Sequence, residues 1–139
     1  MSLTNTLMTP YIVKQNEVAS LWPIFLPGLH AVIQTDPNVG WTPLGVLDAL
    51  LKQNAYAVVL TADQTQAGFF MGYPQADGAF FIWIAHLERG YDLGEGIQHV
   101  KDFAKKLGCN RIIFGTNRRG WDRVARKHGF RPTYWEQNI

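Results

Sequence analysis

The segment from Ala79 to Gly115 limits what this chain can fold into more than any other feature. Ala79–Leu87 (AFFIWIAHL) is an apolar, aromatic run of strand length. The period then changes. Ile97, Val100, Phe103, Ala104 and Leu107 recur at helical spacing, while Gln98, Lys101, Asp102, Lys105 and Lys106 fall elsewhere, so an amphipathic helix is predicted over 94–107. Gly108 suits the position just past its end. Arg111–Gly115 (RIIFG) then reads as a strand again. Strand, helix and strand in that order call for a right-handed crossover and a locally parallel strand pair.

The preceding residues supply the rest of a sheet. Ala55–Thr61 is β-branched and apolar, and Ala67–Tyr73 follows after a turn at 62–65. Asp77-Gly78 is a strong turn signal leading into Ala79. These three strands predict an antiparallel meander. Thr42-Pro43 opens a helix carrying Leu44, Leu47, Leu50 and Leu51, because Thr can cap free N–H groups and Pro fits a first turn. Residues 15–36 are helical in pattern, but Pro23 and Pro27 predict a short helix, a break and a second short helix. A short strand is expected at Tyr11–Val13. Towards the C-terminus a helix is expected over Trp121–His128 and a last strand over 130–136, with Pro132 placing that strand at an edge or bulge.

The chain has 139 residues, 47% of them hydrophobic and 17% charged, enough apolar material for one buried core. The reading is a single domain, 1–139. The lone Cys109 rules out an intrachain disulfide framework or a CxxC zinc site and favours a reducing compartment. The first residues lack the pattern of a signal peptide, and no uninterrupted apolar run reaches about 18 residues, so neither export nor a membrane span is expected. A cytoplasmic protein is the expectation. His30, His86, His99 and His128 show no metal-ligand spacing, and no metal site is assigned. Charge is uneven. Residues 1–100 hold three basic and eight acidic side chains, and residues 101–139 hold ten basic and three acidic ones. A basic C-terminal third suits a phosphate-bearing ligand, a nucleic acid, or simply a solvated helix face.

Between the strand 79–87 and the helix 94–107 stands Tyr91-Asp92-Leu93-Gly94-Glu95-Gly96. The first turn of a helix has unpaired N–H groups and the positive end of the helix dipole. Glycines there let a pyrophosphate approach the backbone, and Arg89 can add a charge-assisted bond. An ordinary strand-to-helix turn would use the same glycines for tight geometry.

The order of elements and this glycine pair resemble the GNAT N-acetyltransferase superfamily. Its signature, Gln/Arg-x-x-Gly-x-Gly/Ala, lies between the fourth strand and the third helix; here both glycines are in register and Tyr91 holds the first position. His128-Gly129-Phe130 is similar to the family's usual close of the fourth helix, and Asn117 stands near the start of that region. Small, divergent relatives of this kind occur in phage and prophage gene sets. The resemblance implies an α/β (α+β) fold with a mixed, mostly antiparallel central sheet flanked by helices on both faces. It also implies acetyl-CoA as co-substrate and direct transfer of an acetyl group to an amine. The cofactor-binding residues it implies are Leu87, Arg89, Tyr91, Asp92, Leu93, Gly94, Glu95 and Gly96, with Asn117, Arg118 and Arg123 towards the adenosine phosphate and pantetheine arm. A backbone N–H around His86-Leu87 would face the oxyanion, and His86 or Glu88 would drain the amine's proton.

The family's frequent catalytic Tyr falls on Ala125. Another group or solvent must then protonate the leaving thiolate, or the chain does not catalyse the transfer. A non-catalytic, phage-related structural or interaction protein of the same fold is therefore the second reading. A small basic nucleic-acid-binding domain is the third, disfavoured because no recognised readout motif is present. The acceptor is not legible. The oligomeric state is open, with a homodimer through an exposed sheet edge as one option.

Overall fold

The computed structural model describes residues 7–115 and 121–130. Its core is a five-stranded sheet in the spatial order β1-β2-β3-β4-β5, with β1 Thr9–Ile12, β2 Tyr56–Ala62, β3 Thr65–Pro74, β4 Ala79–Leu87 and β5 Arg111–Phe114. The first four strands pair antiparallel and β5 pairs parallel to β4. The expected meander and the expected βαβ unit are thus both present. The expected strand at 130–136 lies, but for Phe130, outside the described residues.

Helices cover both faces. On one side lie α1 (Val18–Thr35) and α2 (Pro43–Leu51), enclosing Phe25, Leu29, Val46, Leu50, Phe69, Met71 and Ile84. On the other lies α3 (Leu93–Lys106), enclosing Met8, Phe70, Phe80, Val100 and Phe103. Phe103 meets Phe70, Phe80 and Tyr56 edge-on at 5.7–6.0 Å between ring centres. Cys109 is buried in the same cluster, as expected of a small apolar side chain. A last helix, α4, spans Trp121–Lys127.

One expectation fails. Pro23 and Pro27 do not divide the N-terminal helix; α1 runs unbroken through both. Each proline removes one intrahelical donor and crowds the preceding turn. Packing outweighs this, because Phe25 and Leu29, on either side of Pro27, are fully buried against the sheet. Both prolines face solvent, where the carbonyls they leave unpaired can bond water. By length and composition alone Gln15–Thr35 is apolar enough to cross a membrane, with a mean hydropathy of 1.2. In the fold this segment is the helix docked on β3 and β4.

Gly28 makes that docking close. A Cβ there would overlap the edge of the Phe69 ring and stand 3.1 Å from His86 Cδ2. Only a residue without a side chain lets α1 lie this near the sheet.

Candidate active site

The site is built around a change in β4 at Trp83. Opposite β3, Gly72 pairs with Ile82 but Met71 pairs with Ile84, so Trp83 is an extra residue. Such a bulge bends a strand and increases its twist. Its trace is visible in the packing: Trp83 and Ile84, neighbours in sequence, both join the cluster under α1 and α2. On the far side, β5 pairs only with Ala79–Ile82 and ends at Phe114. The two parallel strands part at the bulge.

Past that point the β5-facing edge of β4 has no strand partner among the described residues. Glu88 N–H donates to Ala67 C=O at 2.8 Å. Antiparallel alternation then turns the peptide groups of His86 and Ile84 towards β3 as well, and those of Ala85 and Leu87 away from it. Ala85 is exposed in the middle of the sheet, on the α3 side, while Ile84 beside it is buried. The open edge therefore offers two backbone N–H groups beside a small side chain.

The N-terminus of α3 stands at the end of this wedge. Asp92 caps it, its carboxylate accepting from Gly94 N–H at 3.1 Å. Leu93 and Glu95 N–H have no intrahelical acceptor by helix geometry. The two glycines differ. Gly94 is half-buried, and an added Cβ would meet nothing closer than Asp92 Oδ1 at 3.5 Å and His128 Cε1 at 3.6 Å. Gly96 is buried and faces Met8. Close approach of a ligand to the backbone is therefore possible at Gly94 and not at Gly96.

His86 lies on the opposite face of β4. Its ring packs between Phe69, at 6.0 Å between ring centres, and the bare backbone of Gly28. Its Nε2 is 3.1 Å from Glu88 Oε1, with the His side chain 20% exposed and the Glu side chain 58%. The structure thus brings the two predicted proton-accepting side chains into contact, on the side of α1 and α2, at the end of the open edge.

The remaining expected residues divide. Arg89 is exposed on the turn just before α3, and Arg123 is exposed on α4. Tyr91 and Leu87 are half-buried and pack into the cluster under α3, so the Tyr91 ring belongs to the core. Asn117 and Arg118 lie outside the described residues. Ala125 is half-buried in α4 and has no group to donate. His99 is half-buried in α3, and Glu95 turns its side chain to Met8. Three features were absent from the sequence reading: the bulge at Trp83, the exposed Ala85 and the approach of His128 to Gly94. Only the last had a sequence signal, the His-Gly-Phe close of α4, and Phe130 does pack on Phe114 at 4.9 Å.

Comparison with solved structures decides the fold. An aminoglycoside acetyltransferase from an uncultured soil metagenomic sample, solved with sisomicin, superposes with a TM-score of 0.63 at 14% identity, over 95% of this chain and 92% of that one. The ribosomal-protein-alanine N-acetyltransferase of Brucella melitensis gives 0.64 at 15%, over 95% and 96%. The fold is that of the GNAT acetyltransferases. A predicted acetyltransferase from Clostridium acetobutylicum, solved with acetyl-CoA, gives 0.61 at 16%, again over 95% and 96%. No family model matches the GNAT-fold chain, and no curated protein matches it in sequence.

Proposed function

We propose that residues 1–139 act as one acetyl-CoA-dependent N-acetyltransferase domain, working in the cytoplasm on an amine acceptor. The observation that carries this is the parting of β4 from β5 at Trp83, which leaves Ala85 and Leu87 N–H facing an open wedge that ends at the N-terminus of α3.

In this reading the pantetheine arm lies along the open edge of β4 and takes the place of a strand partner. The diphosphate sits at the start of α3, over Gly94, and reaches the first-turn N–H groups. Asp92 must then yield the Gly94 N–H it accepts from, since two anionic oxygens cannot share it favourably. Arg89, exposed beside the turn, supplies an opposing positive charge. The thioester comes to rest near the end of β4, where Leu87 N–H can donate to the oxyanion.

The amine approaches from the side of α1 and α2. Its nitrogen forms a bond to the thioester carbon, the carbon–sulfur bond breaks, and an amide and CoA thiol result. The proton lost by nitrogen goes to the His86–Glu88 pair, directly or through water. Glu88 orients the ring by accepting at Nε2, which leaves Nδ1 as the basic nitrogen. Ala125 cannot return a proton to sulfur, so in this reading solvent does.

The test is turnover. Thiol release from acetyl-CoA should depend on an added amine, and His86→Ala should lower kcat with little change in the KM for acetyl-CoA. No calorimetric binding of acetyl-CoA or desulfo-CoA by the folded protein would favour the non-catalytic reading, for which Ala125 is the motivating residue.

A further inference from the structure

The turn that approaches the diphosphate in the proposed reading carries an acidic residue, Glu95, between its two glycines. A glutamate three residues past a helix cap usually folds back to the cap's own N–H. Glu95 does otherwise. Its Oε2 accepts from Met8 N–H at 2.9 Å, a bond across 87 residues of sequence. Met8 is 4% exposed, and its Cε lies 4.0 Å from where a Cβ on Gly96 would stand. The other side of the carboxylate is closed by His99, one helical turn on, whose buried Nε2 is 3.8 Å from the same oxygen and has no hydrogen-bond partner among the described residues. The Glu95 and His99 side chains are only 21% and 17% exposed.

The first turn of α3 needs such a tie. Two of its four residues, Leu93-Gly94-Glu95-Gly96, are glycines, each about 1 kcal/mol poorer than alanine at holding helical geometry. The feature that opens the turn to a ligand therefore also loosens it. Asp92 caps it from the solvent side, and Glu95 ties it to Met8, just before β1, from the core side. The tie also draws the Glu95 charge inward, away from the side on which Gly94 is open.

We infer that Glu95 is a positioning residue: as a hydrogen-bond acceptor for Met8 N–H it holds the glycine turn in its binding geometry before ligand arrives. This rests on the proposed reading of the turn as the acyl-CoA site, but it predicts behaviour of the ligand-free protein too. Its role is to accept, not to be charged. Glu95→Gln keeps an acceptor oxygen and Glu95→Ala does not.

Amide hydrogen exchange on the ligand-free protein, with desulfo-CoA affinity measured beside it, tests this. In Glu95→Ala, exchange at Met8 and Gly96, whose N–H groups donate to Glu95 and to Asp92 C=O, should quicken while amides of β2 and β3 hold, and desulfo-CoA should bind about tenfold more weakly because preorganisation is lost. Glu95→Gln should restore protection and bind as tightly as the parent or more so, having lost a negative charge near the diphosphate. Should the alanine variant not fold, Glu95→Asp, too short to reach Met8, takes its place. Unchanged Met8 and Gly96 exchange in the alanine variant would overturn the inference. So would a glutamine variant as loosened as the alanine one. A parent protein that ignores desulfo-CoA would sink the acyl-CoA reading instead, and the exchange data would still decide the tie.

Discussion

The two halves of β4 have similar sequences and opposite surroundings. Ala79–Ile82 is hydrogen-bonded on both sides, to β3 and to β5, and Ala79 and Phe80 are fully buried. Ile84–Leu87 is paired on one side only among the described residues, and Ala85 is exposed. One inserted residue, Trp83, separates them. The first half is held by burial and a complete ladder, and its residues answer to packing. The second half has backbone donors without strand acceptors among the described residues, which a sheet tolerates only where water, a ligand or other polar groups supply them.

If that contrast is right, substitutions in the two halves should fail in different ways. Phe80→Ala should cost about 3–5 kcal/mol of stability, since it empties a fully buried site against Phe103, and denaturant unfolding reads this directly. Ala85→Glu, five residues on, should shift stability by only about 0.5 kcal/mol and abolish desulfo-CoA binding. Equal stability losses would erase the distinction between the halves.

The glycines of α3 sharpen the same contrast over two residues. Gly94→Glu should leave a folded protein that no longer binds desulfo-CoA, because its Cβ meets nothing closer than 3.5 Å and its carboxylate fills the phosphate approach. Gly96→Glu should instead lower the melting temperature, because that position is buried beside Met8. Reversed outcomes would mean that the helix presents its other side to ligand.

Gly28→Ala acts on the opposite face. It should cost about 1–3 kcal/mol by overpacking, with the Phe69 and His86 rings displaced. If catalysis uses His86, the pH dependence of kcat should shift with it; a stable variant with an unaltered profile would separate His86 from the chemistry. The smallest effect is expected at Arg89, exposed and outside the ladder. Arg89→Ala should weaken CoA binding by about 1–2 kcal/mol and leave unfolding unchanged.

What could be read from sequence follows the range of the physics. β4 occupies Ala79–Leu87 as expected, and α3 is displaced by one residue, because both are written in a local period of apolar side chains. The glycine turn was legible for the same reason, and so was its position at the end of the fourth strand. The continuity of α1 through Pro23 and Pro27 was not, since it depends on what Phe25 and Leu29 meet across the sheet. Nor was the bulge, which is a relation between two strands and leaves no mark in either alone. The facing directions of Gly94 and Gly96, and the inward turn of Glu95, depend on Met8, almost ninety residues away. His86 and Glu88 were named by position. Their contact, and the seat of the His86 ring on Gly28, needed the fold.

The most direct test is amide-resolved NMR during titration with CoA. The account predicts that the signals of Ala85, Leu87 and Gly94 move with a common saturation curve, while those of Phe80, Phe81 and Ile82, in the same strand, stay in place. No movement at saturating CoA, or equal movement along the whole of β4, would contradict it.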